Sequence, residues 1–91
     1  MQLDPAKTLA LEALSFILSQ DTLRDRFLTL SGVSSDDMRR HIEDTDFLVS
    51  PLDFLISHEP DLLVFSEHVA ESPERIVKAW RALGGGIGQE W

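Results

Sequence analysis

The sequence indicates an all-α protein, a compact bundle of five or six short helices with orthogonal packing. Apolar residues recur at spacings of three and four along most of the chain, and no segment alternates as a β-strand does. Four prolines stand where helices are expected to begin, because the first turn tolerates a residue without an N–H. The chain has 91 residues, 43% of them hydrophobic and 26% charged, which is the balance of one small globular domain.

The spacing of the apolar residues indicates six helical segments in order, and the fourth and fifth form either two helices or one helix kinked at Glu59-Pro60. The first two are indicated by Leu9, Ala13, Leu14, Ile17 and Leu18, and by Leu23, Phe27 and Leu30. The third and fourth are indicated by Met38 and Ile42, and by Leu48, Leu52, Leu55 and Ile56. The fifth and sixth are indicated by Leu62, Phe65 and Val69, and by Ile76, Val77, Trp80 and Leu83. Each set lies on one side of an amphipathic helix, the side expected in the core.

The residues around these segments predict where the helices begin and end. Ser34 and Asp37 have the spacing of a capping box, and Gly32 suits a left-handed C-terminal cap. Further N-caps are predicted at Asp4, Asp21 and Ser72. A proline inside a helix costs about 3 kcal/mol. At Pro51, therefore, either a separate helix begins or the segment is kinked.

Residues 1–84 are expected to form a single helical domain, and residues 85–91 a flexible tail. Gly84, Gly85 and Gly86 should end the last helix, because glycine loses the most backbone entropy in a further helical turn. Trp91, in the tail, is expected either to fold back over the domain or to enter a pocket of a partner protein.

Charge and composition restrict the function. Eight Lys and Arg against sixteen Asp and Glu give a net charge of −8, which disfavours nucleic acid and anionic membranes and suits a basic partner. The lack of cysteine excludes a disulfide and a thiolate nucleophile. The N-terminus lacks the pattern of a signal peptide, and every uncharged run, such as 13–20, is far shorter than a membrane span of about 20 residues. A cytoplasmic protein is expected.

No arrangement of residues points to an enzyme or to a cofactor site. His41, His58 and His68 match no metal-ligand spacing and are expected to be surface or capping residues. Ser57, His58 and Glu59 are consecutive, so on a helix they point about 100° apart and cannot form a catalytic relay. We therefore expect no enzymatic activity, no metal and no cofactor.

A small, acidic protein-interaction module is the function that the sequence favours. The candidate contact residues are Asp44, Asp46 and Asp53, which could form part of an acidic face, and the aromatic Trp91. The partner is expected to be another protein or a second copy of the chain. The acids also have a simpler interpretation as a solvated face, because acids near helix starts interact favourably with the helix dipole.

The alternative function is that of a helix–turn–helix DNA-binding protein. Residues 62–83 resemble that motif, with the last helix, residues 73–83, in the position that reads the major groove. Its exposed face would carry Arg75, Lys78 and Arg81, opposite the buried side of the helix. Any amphipathic helix has a similar division, and the net charge of −8 opposes DNA binding.

Several short segments together resemble one family. They include Leu52-Asp53-Phe54-Leu55, Leu83-Gly84-Gly85 and the final Trp91. On these segments the chain is similar to a family of short, uncharacterised alphaproteobacterial proteins, and the resemblance covers nearly the whole chain. It implies a bacterial cytosolic setting, and it implies no activity, cofactor or partner. The chain departs from the family at Phe16, where tryptophan is common, and at Pro51, where members tend to have a continuous helix.

Overall fold

The computed structural model describes residues 1–86, which form six α-helices and contain no β-strand. The helices are α1 (Leu3–Ser19), α2 (Asp21–Ser31), α3 (Ser35–His41), α4 (Thr45–Ile56), α5 (Glu59–Val69) and α6 (Pro73–Ala82). The Cα radius of gyration is 12.1 Å, close to the value of about 12 Å expected for a compact domain of this length. The predicted all-α bundle is confirmed.

Short-range capping signals account for several helix ends. The Ser34 side chain accepts a hydrogen bond from the Asp37 N–H, and the Asp37 carboxylate accepts one from the Ser34 N–H, so the predicted capping box is present. At the start of α6, the Ser72 side chain accepts a hydrogen bond from the Arg75 N–H, which is a single cap rather than a capping box. Gly32 ends α2 with a φ of 69°, the left-handed conformation that glycine adopts without strain.

Other predicted starts differ from the structure by one or two residues. The N-cap of α1 is Gln2 rather than Asp4, and that of α2 is Gln20 rather than Asp21. Both aspartates lie instead in the first turn, where a carboxylate interacts favourably with the positive end of the helix dipole.

Helix α4 runs from Thr45 to Ile56 with Pro51 inside it, so the prediction of a separate helix beginning at Pro51 is wrong. The proline ring cannot donate a hydrogen bond to the carbonyl group four residues earlier. On the same helix Leu48, Leu52 and Leu55 are at most 1% exposed. Burying each of these side chains stabilises the fold by about 1.5–3 kcal/mol, so together they offset the cost of about 3 kcal/mol for the proline.

One buried apolar cluster holds the helices together. Helix α1 packs against α2, α4, α5 and α6, and α4 packs against α2, α5 and α6 as well. Phe65 is fully buried and its ring centroid lies 5.4 Å from that of Phe16, so α5 and α1 are joined by an aromatic contact. In the part of the chain that is described, no helix is long and apolar enough to span a membrane.

The glycines after α6 lie against the core. Gly84, Gly85 and Gly86 form a turn, in which the Gly85 N–H donates a hydrogen bond to the Trp80 carbonyl oxygen at 2.8 Å. Gly84 and Gly86 have φ values of 100° and 79°. The first two residues of the predicted tail are therefore part of this turn, and residues 87–91 lie outside the described residues.

Candidate functional site

An open cleft of about 560 Å³ lies between α2, α4 and the glycine turn after α6. Its α2 side is formed by Arg26, Phe27, Leu30 and Ser31. Its α4 side is formed by Val49, Ser50, Asp53 and Phe54, followed by Ser57 and His58. Trp80, Gly85 and Gly86 complete the lining. A volume in this range is typical of sites that bind small molecules or individual side chains of a partner.

Aromatic side chains give the cleft an apolar floor. Phe27, Phe54 and Trp80 are each less than 10% exposed, and the rings of Phe27 and Phe54 meet edge to face at 5.5 Å. Gly85 fits against the face of Trp80 so closely that a Cβ atom there would overlap the indole ring. The turn can pack on the tryptophan only because residue 85 has no side chain.

Leu30 is the most exposed large hydrophobic side chain of the described residues, at 75%. The sequence places it on the same face of α2 as Leu23 and Phe27, which are 9% and 2% exposed. The last turn of α2 therefore extends past the core, and it carries a leucine at the rim of the cleft rather than inside the protein.

The α4 side of the cleft presents polar groups at helical spacing. Asp46, Ser50 and Asp53 fall within about 60° of one another around the helix axis. Asp46 and Asp53 are exposed, and Asp53 lines the cleft while Asp46 lies about 10 Å away along the helix. Neither carboxylate has an ion-pair partner within the described part of the chain.

The α2 side of the cleft carries a cation that is already paired. The Arg26 guanidinium lies 5.3 Å from the centroid of the Phe54 ring, and its Nη1 atom lies 3.6 Å from Oδ2 of Asp61. The same Asp61 oxygen lies 2.8 Å from Nδ1 of His58. The Asp61 side chain is 18% exposed, so this carboxylate is the partly shielded centre of the cluster.

The histidines do not form a catalytic relay with the hydroxyl groups of the cleft. His58 and His41 each contact an aspartate three residues later at 2.8 Å, and both side chains are about half exposed. The Ser57 hydroxyl donates to the Asp53 carbonyl oxygen at 2.7 Å, so it is committed to the end of α4. No serine hydroxyl that lines the cleft is hydrogen-bonded to His58, and residues 1–86 contain no group of three potential metal ligands.

The acidic residues predicted to contact a partner are only partly brought together. Asp53 lines the cleft, whereas Asp44 precedes α4 and its carboxylate is paired with His41. Asp46 shares the helix face of Asp53 without lining the cleft. Trp91 lies outside the described residues.

The residues of the alternative DNA-binding face lie on one helix, α6. Arg75, Lys78 and Arg81 are exposed, opposite the buried Ile76, Ala79 and Trp80. The Nε atom of Arg75 lies 2.6 Å from a carboxylate oxygen of Glu71, so this cation already has a partner. Away from this face, the hydrogen bonds from the Ser34 backbone and side chain lower the pKa of the Asp37 carboxyl.

Sequence reasoning missed most of the cleft. Arg26, Ser50, Trp80 and Gly85 were not recognised as neighbours, because they come from distant parts of the chain. The run of three glycines directly after a helix containing a tryptophan was the available signal, since glycine permits a close approach to an aromatic face.

Comparison with known proteins identifies a family that the chain matches. A family model described as a protein of unknown function (DUF3572) matches residues 3–86. No curated protein and no solved structure matches the chain.

Proposed function

The chain belongs to the DUF3572 family of proteins of unknown function, and we propose that it is a non-enzymatic interaction module that binds another protein in the cleft between α2 and α4. The observation that carries the proposal is Leu30, which is 75% exposed at the rim of a cleft with an aromatic floor. A partner that covers this leucine gains about 1.5–3 kcal/mol from its burial. The proposal includes a bacterial cytosolic setting, which the resemblance to alphaproteobacterial proteins supports.

The cleft suits a protein partner because its polar groups surround an apolar floor. An interface of this kind has a desolvated apolar centre and a polar rim, and the centre provides most of the affinity. Phe27, Phe54 and Trp80 supply the centre, while Ser50 and Asp53 supply part of the rim.

Site-specific photo-crosslinking in the cells that make the protein tests this proposal. Leu30 is replaced by p-benzoylphenylalanine, and Leu63 is the matched control. Leu63 is also an exposed helical leucine, at 46%, but it does not line the cleft. We expect position 30 to crosslink one protein in a fixed ratio and position 63 to crosslink none. Equal labelling at the two positions, or no adduct at position 30, would contradict the proposal.

DNA binding through α6 is a second candidate, favoured by the connection between α5 and α6. Only three residues, Ala70, Glu71 and Ser72, join these helices, and Ala70 has a left-handed φ of 56°. A turn of this length is typical of the helix–turn–helix motif. We expect DNA retention, if this is the function, to fall steeply with salt and to be lost when Arg75, Lys78 and Arg81 are changed to glutamate. Retention that survives these changes would exclude this face.

A further inference from the structure

We infer that the segment bound in the α2–α4 cleft carries a lysine or arginine beside a large apolar side chain. This inference rests on the proposed function and specifies the chemistry of the partner. It follows from the charges that line the cleft and from the apolar surface between them.

The two sides of the cleft offer an incoming charge different surroundings. The Asp53 carboxylate is exposed and unpaired within residues 1–86, so a cation placed beside it forms a new ion pair. Arg26 is the cation on the other side, and it already contacts Asp61 at 3.6 Å and the Phe54 ring. An incoming carboxylate would have to compete with Asp61 for that guanidinium. The cleft therefore favours a cation.

The Ser50 hydroxyl and the net charge of the protein also favour a positively charged group in the partner. The Ser50 hydroxyl is near Asp53 on α4 and has no hydrogen-bond partner within the described segment, so its oxygen remains free to accept from a lysine or arginine. The net charge of −8 attracts a basic partner over longer distances and speeds its association.

The apolar part of the cleft requires a second feature in the partner. Leu30 is 75% exposed at the rim, and Phe27 and Phe54 line the cleft beside it, so a charged group alone would leave this leucine uncovered. A large apolar side chain covers it, and the aliphatic stem of a neighbouring lysine or arginine lies along the same surface while its head reaches the acid. This is a segment with adjacent basic and apolar residues.

Selection from a display library of random 12-residue peptides, with the 91-residue chain as bait, tests the inference. We expect the bound peptides to be enriched in a lysine or arginine next to Leu, Ile, Met, Phe or Trp. Selection on Asp53→Lys should shift the preference from basic to acidic residues.

Affinities of one selected peptide then test the role of Asp53, with Asp53→Asn compared against Glu67→Gln. Glu67 is also an exposed helical acid without an ion-pair partner in residues 1–86, and it does not line the cleft. We expect Asp53→Asn to weaken binding about two- to fivefold, as for a partly exposed ion pair, and Glu67→Gln to leave it unchanged. The difference should shrink as the salt concentration rises.

Three results would overturn this inference. Purely apolar peptides that bind wild type and Asp53→Asn equally would show that charge plays no part. An empty selection would show that the occupant is not a linear segment. Peptides that bind only a chain shortened after Gly86 would identify residues 87–91 as the occupant.

Failure of the proposed function itself gives a different result. In that case position 30 forms no crosslink in cells, whatever the peptide library yields. A crosslink at position 30 together with any of the three results above leaves the interaction module intact and removes only the basic and apolar partner segment.

Discussion

Replacing Gly85 by alanine should destabilise the protein through its contact with Trp80. The new Cβ atom would meet Nε1, Cδ1 and Cε2 of the indole closer than 3.0 Å, a separation that real Cβ atoms essentially never show. The indole is 5% exposed and packed in the core, so it cannot swing into solvent. Moving the turn instead stretches the 2.8 Å hydrogen bond from the Gly85 N–H to the Trp80 carbonyl.

The size of the effect follows from these two consequences, the overpacking against Trp80 and the weakened hydrogen bond. Overpacking a core costs about 1–3 kcal/mol, and losing one hydrogen bond costs about 0.5–1.5 kcal/mol. We expect Gly85→Ala to lower the free energy of unfolding by about 2 kcal/mol. For a domain of this size, that corresponds to a decrease in Tm of roughly 8–16 °C.

Urea denaturation and near-ultraviolet circular dichroism measure this effect, and Gly32→Ala is the matched control. Gly32 has a φ of 69°, but a Cβ atom there would meet nothing within 4 Å. Its replacement should therefore cost only the backbone strain, about 1 kcal/mol, without altering the signal of Trp80. With Trp91→Phe as the background, Gly85→Ala should change that signal. A loss of less than about 0.5 kcal/mol with an unchanged spectrum would refute the packing argument.

Three further predictions concern the core, a cap and the capping box. Phe65→Ala should lower the free energy of unfolding, measured by urea denaturation, by about 3–5 kcal/mol because Phe65 is fully buried. Leu63→Ala, at an exposed site, should change it by no more than about 0.5 kcal/mol. Similar losses for the two variants would contradict the assigned core. Ser72→Ala should lower the free energy of unfolding by about 1 kcal/mol, because the Arg75 N–H loses its side-chain acceptor, and an unchanged denaturation midpoint would argue against the cap. The pKa of Asp37 is lower in the folded state than its ordinary value of 3.8, so its contribution to stability is present above that value and is lost as the pH falls through the folded pKa. Asp37→Asn should therefore lose less stability than wild type between about pH 5 and pH 2, and identical pH profiles would refute this.

Helix ends were predictable where their cause lies within a few residues. Ser34 and Asp37 are three positions apart, and so are Ser72 and Arg75, so each hydrogen bond can form as soon as its own first turn does. Neighbouring residues did not show whether a helix continues through Pro51. Its cost is local, but the burial that offsets it depends on α1, α5 and α6, which pack against α4.

The cleft was predictable only in part. Asp53 was selected from the sequence for its charge, and it lines the cleft, whereas Asp44 is paired with His41. Leu30 has the periodicity of a core residue, and only its 75% exposure distinguishes it from Phe27, one turn earlier. Periodicity identifies which side of a helix is apolar, but it does not show whether another helix covers the whole length of that side.

The sequence by itself determined the all-α class, several helix limits and the acidic charge, because spacing, caps and composition act within single segments. The tertiary structure decided the continuity of α4 through Pro51, the exposure of Leu30 and the packing of Gly85 on Trp80. Each of these depends on which segments come together, and burial is a property of that assembly rather than of any one segment.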